Sequence, residues 1–194
     1  MATPLSAGEL REQVYIDLLR ARAVAYPNPP FGHHPNFVGA AEAAALLLEY
    51  LLGWRLRAGM TVLSYPDYVL RPLRRGLLER GVNVVVPAKH GKGYRHLASG
   101  RVDAAKGSSI AGAEAEGAWL AEPPELRACL VACVALAPDG RYLGKGYGFV
   151  PPPAAAGLPR FALAHPLMVQ AEVPEPEGVL AAYATPQGMT ATAK

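Results

Sequence analysis

Cysteine is nearly missing from this chain: its 194 residues hold only Cys129 and Cys133. On one extended strand the two thiols would lie roughly 13 Å apart, about twice the Cα separation that a disulfide tolerates. They are expected to be buried, reduced thiols in a reducing cytoplasm, and a C-x3-C pair without spaced histidines lacks a zinc pattern. No apolar run approaches the length of a membrane span, and the polar, acid-containing N-terminus does not read as a secretory signal. Neither G-x-G-x-x-G nor G-x-x-x-x-G-K-[ST] occurs, so both standard nucleotide loops are excluded as explanations. A nucleic-acid module is also missing, with no aromatic interleaving of the cations beyond Tyr94, and an RNA-binding or scaffolding role ranks last.

What is present suits one substantial core. With 51% hydrophobic residues, residues 1–186 are expected to form a single α/β domain and 187–194 a mobile C-terminal tail. Twenty glycines and nineteen prolines imply many turns. The net charge of +3 hides an uneven distribution, because nine cations between Arg71 and Lys106 face only Glu79 and Asp103. Such a band suits a polyanion or a solvated surface, and sequence leaves both open.

Ser6 and Glu9 have the spacing of a capping box, which predicts a helix with Leu10, Val14 and Leu18 on its apolar stripe. Residues 26–37 carry too many prolines for a helix and read as a loop. Ala40 to Leu52 predicts a helix stopped by Gly53, apolar nearly all round and therefore buried. Met60–Tyr65 and Val82–Pro87 read as strands flanking a helix that starts near Pro72 and stops at Gly81. Strand, helix, strand at this spacing is a βαβ unit of a parallel sheet. Ala88 to Gly100 reads as a loop at the carboxyl end of a strand, where open α/β sheets hold ligands. The paired His33 and His34, next to a proline and without a spaced partner, read as structural or exposed residues rather than metal ligands.

The candidate working stretch is Gly140 to Phe149. It follows the apolar run Leu130–Leu136, read as one strand, and a Pro-Asp-Gly turn. Alternate Gly144, Gly146 and Gly148 let the main chain approach a ligand, so consecutive amides can face one anion while Lys145 adds a mobile charge. The competing reading is a glycine-rich hairpin that only reverses the chain.

This run, together with His34-Pro35-Asn36-Phe37-Val38-Gly39-Ala40, resembles the 5-formyltetrahydrofolate cyclo-ligases (methenyltetrahydrofolate synthetases) and their synthetase-domain relatives. Gly140, Leu143, Gly144, Gly146, Gly148 and, conservatively, Phe149 fit the family's G-x-R-[LI]-G-x-G-x-G-Y-x-D pattern. Tyr142, Tyr147 and Pro151 depart from it, standing where the family has arginine, often lysine, and an acidic metal ligand. The likeness extends from about Glu9 to Pro186.

The resemblance implies a three-layer α/β/α fold with a mostly parallel sheet of cyclo-ligase, CoA-transferase-like, architecture. It implies ATP and magnesium as cofactors and a reduced folate as the small-molecule partner. In the family reaction the formyl oxygen of 5-formyltetrahydrofolate attacks the terminal phosphate of ATP. Nitrogen then displaces phosphate, giving 5,10-methenyltetrahydrofolate, ADP and phosphate. By the same resemblance Lys145 is the catalytic candidate. Arg11, Gly144, Lys145, Gly146, Tyr147, Gly148 and Phe149 are assigned to the nucleotide, and Asn36 and Phe37 to the substrate; Tyr94 joins the substrate set from its place in the loop at the carboxyl end of a strand. Glu177 is assigned to the metal. The alternative is a relative that binds nucleotide, folate or another anion without turnover.

Overall fold

A computed structural model describes residues 5–192. The capping box forms as expected: the Ser6 side chain accepts from the Glu9 amide and Glu9 reaches back to Ser6, opening helix α1, Ala7–Arg20. Helix α2 runs Ala40–Trp54, and strand β1, Thr61–Ser64, leads through a short turn to helix α3, Arg71–Glu79. Strand β2, Asn83–Pro87, then lies parallel to β1 in the register Thr61 to Asn83, which completes the βαβ unit.

The segment expected as a cationic loop contains a strand, β3, Tyr94–Leu97, antiparallel to β2. Two short helices, α4 (Ala104–Gly107) and α5 (Ile110–Glu116), follow, and strand β4 (Ala118–Leu120) pairs with β3. The apolar run from 129 to 136 is not one strand. Cys129–Leu130 forms β5, parallel to β1, whereas Ala135–Leu136 forms β6 in a separate sheet with β7, Arg141–Leu143. Residues 131–134 are fully buried between the two, so their apolar character reflects passage through the core. Both cysteines are free and buried, and desolvation pushes each thiol up to about 12, which keeps them protonated.

Strands β8 (Arg160–Leu163), β9 (Gly178–Val179), β10 (Ala182–Thr185) and β11 (Gly188–Ala191) complete the chain. The expected mobile tail is corrected by β11, which hydrogen-bonds antiparallel to β10 through residue 191. The large sheet has the order β11-β10-β8-β5-β1-β2-β3-β4, and its five central strands are all parallel. The small sheet has the order β6-β7-β9. Helix α2 packs on α3 and on β8, β10 and β11, while α1 lies against β6 and the turn at 166–168. The fold is three-layer α/β/α with a mostly parallel sheet. β1 is buried at every position, as strands covered on both faces must be.

Candidate active site

The glycine loop leaves β7 of the small sheet and arches over the carboxyl end of β1. Gly146 and Gly148 have φ of +91° and +106°, a region that side-chain-bearing residues rarely occupy. The loop closes one wall of a cavity of about 310 Å³ bordered by His34, Tyr65, Glu177 and residues 145–150.

The loop is held from three directions. Arg11 on α1 donates through Nε to the Gly144 carbonyl at 2.7 Å, and its Nη2 lies 3.6 Å from Glu177. Tyr147 donates its hydroxyl to the Gly32 carbonyl at 2.7 Å, while Lys145 Nζ sits 4.9 Å above the Tyr147 ring. From below, the Lys145 amide donates to His34 Nε2 at 3.2 Å. Because that nitrogen accepts, the proton of a neutral His34 is on Nδ1, which faces Asp67 Oδ1 at 2.9 Å. His34 is buried, so this Asp67-His34 pair fixes the height of the loop.

The expected row of consecutive free amides therefore loses its first member. Lys145 spends its N–H inside the protein, whereas the amides of Gly146, Tyr147, Gly148 and Phe149 donate to no acceptor among the described residues. Facing them, Tyr65 and Phe149 meet edge to face with ring centroids 5.2 Å apart. The Tyr65 hydroxyl has no hydrogen-bond partner among the described residues, and burial raises its pKa, so it is a neutral donor.

Of the residues proposed for substrate, Asn36 spends its side chain on the Tyr26 carbonyl and the Phe37 amide. Phe37 is buried and packs on His165 with ring centroids 5.8 Å apart. Tyr94 lies on β3, two strands away from β1, and does not border the cavity. The structure thus gathers Arg11, Lys145, the loop glycines, Phe149 and Glu177, and leaves Asn36, Phe37 and Tyr94 outside. His34, Asp67 and Tyr65 are the functional candidates that sequence reasoning missed. Tyr65 and Asp67 follow a parallel strand directly, the position that could have marked them.

At Tyr142, where the resemblance implies an arginine, a guanidinium arrives from another strand. Arg160, opening β8, donates to the Tyr142 hydroxyl at 2.8 Å, and the buried tyrosine has its pKa raised by desolvation, with Arg160 opposing. Among the described residues the metal candidate Glu177 is the only carboxylate bordering the cavity, and Arg11 lies close enough to offset its charge in part. Among the described residues no group of three potential ligands is close enough to hold a metal ion. These side chains do not by themselves build a magnesium site.

No protein-family model matches the chain, and a search of curated proteins found no match. Solved structures do match. The 5,10-methenyltetrahydrofolate synthetase of Aquifex aeolicus superposes with a TM-score of 0.62 over 98% of this chain and 94% of that one, at 16% identity. The beta subunit of eIF2B from Chaetomium thermophilum gives 0.50 over 79% of this chain and 52% of that one, at 15% identity. At such identities the likeness is one of architecture, and the chain adopts the cyclo-ligase fold that its two motifs imply.

Proposed function

We propose that the glycine-loop cavity binds a nucleotide and a reduced folate, and that the protein is a 5-formyltetrahydrofolate cyclo-ligase-like enzyme. The observation that carries this reading is the run of unpaired amides from Gly146 to Phe149 beside Lys145, at the carboxyl end of a parallel strand. Unpaired main-chain donors with an adjacent ammonium suit phosphate oxygens, and the cost of orienting them is met by the fold. ATP would supply the phosphoryl group that turns the formyl oxygen into a leaving group.

The chain's own residues bind and position. Lys145 neutralises phosphate charge, and Tyr65 with Phe149 offers an aromatic corner for a planar ring. The Tyr65 hydroxyl supplies one hydrogen bond, and Asp67 through His34 keeps the loop in place. No step is assigned to magnesium, since Glu177 stands alone. Among the described residues no helix is long and apolar enough to cross a membrane, and a cytoplasmic setting belongs to this proposal.

A second reading, binding without turnover, is favoured by two observations. Glu177 is partly engaged by Arg11, and about 310 Å³ is the lower end of the range for small-molecule pockets, room for one ligand more readily than two. Absorbance at the methenyl product's band, with 5-formyltetrahydrofolate, ATP and magnesium, separates the readings. Product that disappears in Lys145→Ala supports the enzyme. Nucleotide or folate binding without product at high protein concentration supports the binder, and neither binding nor product overturns both.

A further inference from the structure

A different cavity, of about 160 Å³, lies on the far side of the turn that follows β1, bordered by Pro66, Tyr68, Arg71, Arg74, Ile110 and Ala111 among others. Its floor is an arginine that the fold has taken out of water. Arg74 is only 1% exposed. Its Nε donates to the Ser108 carbonyl at 2.8 Å, and its Nη1 to the carbonyls of Tyr65 at 2.8 Å and Asp67 at 3.0 Å. A longer contact of 3.4 Å reaches Ser64 Oγ. Every one of these acceptors is neutral. A buried cation hydrogen-bonded only to neutral dipoles lacks a direct ion pair, and buried charges are ordinarily paired; the Asp67 carboxylate favours the charge from a distance.

The remaining nitrogen, Nη2, donates to nothing among the described residues. It is not sealed away either, because His96 Nε2 is the only fully enclosed side-chain nitrogen or oxygen there without a partner. Arg74 is one of the residues that border the cavity. Burial pulls this guanidinium down to about 10, with the Asp67 carboxylate opposing and Arg71 adding to the fall. Arg71 is exposed and borders the same space. Volume then decides the ligand class. A water occupies about 30 Å³ in the liquid and small-molecule pockets start near 300 Å³, so about 160 Å³ has room for a tetrahedral oxyanion with a few waters and is small for a whole nucleotide or folate.

We propose that Arg74 and Arg71 form a second anion site, for one phosphate-sized oxyanion, separate from the glycine loop. The group is either free inorganic phosphate or the terminal phosphoryl of a larger ligand lying outward past Arg71. Nη2, the one nitrogen whose N–H groups are unspent, can give such a group a charge-assisted hydrogen bond, and Arg71 can add a second.

The test uses the full ¹⁵N-labelled chain carrying Lys145→Ala, which removes the glycine loop's own cation, and follows the Arg74 Nε–H signal, assigned by its loss in Arg74→Lys. Titration with inorganic phosphate is expected to move that signal saturably, half-complete below ~10 mM. Arg71→Gln should weaken the response about tenfold, the effect of one charge-assisted contact. Ala111→Glu, which places a carboxylate at the exposed mouth, should abolish it while the chain stays folded. A stronger response to AMP than to inorganic phosphate would identify the phosphoryl source, and the reverse the free ion. A signal that stays still at ~10 mM phosphate, or moves equally in Ala111→Glu, overturns the site. Because the reporter and the Arg71 and Ala111 variants belong to this cavity and none borders the glycine-loop cavity, the outcome is independent of the cyclo-ligase reading.

Discussion

The two cavities beside the β1–α3 turn place positive charge in opposite ways. At the glycine loop the cation is Lys145, a flexible ammonium over an exposed tyrosine ring, and the donors are main-chain amides left free by strongly positive φ at Gly146 and Gly148. Across the turn the cation is Arg74, with Nε and Nη1 fixed by three carbonyls and only 1% exposed. The first arrangement costs little folding free energy and can adjust to a ligand. The second costs desolvation and cannot move, so it either braces the turn or serves an anion of one size.

The largest effect should come from breaking the fixed cation. Arg74→Met leaves the Ser108 carbonyl without its side-chain donor and takes one of two donors from the carbonyls of Tyr65 and Asp67, and a loss of about 3 kcal/mol in urea unfolding is expected. A loss under about 1 kcal/mol would show that desolvation of the arginine nearly cancels its bonds, leaving ligand binding as the reason for its burial.

His34→Phe tests the adjustable side. It removes the acceptor of the Lys145 amide and the partner of Asp67, for an expected loss of about 1–2 kcal/mol. Hydrogen exchange at Lys145 should accelerate by at least about tenfold if His34 is what holds the loop down. Unchanged exchange would mean that Arg11 and Tyr147 suffice.

The smallest effect lies outside both cavities, in the pH dependence. His96 Nε2 is enclosed without a partner, and burial lowers the His96 pKa below its ordinary 6.5. The unfolded chain therefore binds the proton more readily, so stability is full above about 6.5 and declines as pH falls through the window below it. His96→Phe should flatten the melting temperature between pH 6.5 and the acid limb. An unchanged slope would point instead to His165, whose pKa burial also lowers.

Much of the frame is legible in the residues. The capping box at Ser6 and Glu9, the α2 helix and the β1-α3-β2 unit all follow from local pattern, whereas the stretch from Gly140 to Phe149 divides into strand β7 and the loop after it. What failed to show depends on distance in sequence or on burial. Tyr94–Leu97 pairs as a strand although its cations favoured a loop reading, because Arg95 is met by Glu114 at 2.8 Å from α5. The break between β5 and β6 carries no turn residue, since the chain crosses from one sheet to the other inside the core. His34 and Asp67 are 33 residues apart, so no motif could join them. Arg74 was one member of a basic band, and nothing local separates it from its solvated neighbours.

The large sheet also shows how its borders are finished. All five parallel strands lie inside, with the antiparallel hairpin partner β11 on one flank and β3 with β4 on the other. An unpaired parallel strand at the rim would present a ladder of open amides and carbonyls to any passing chain. Strand β11, Gly188–Ala191, therefore acts as a selvedge: it stops β10 from becoming a template for self-association.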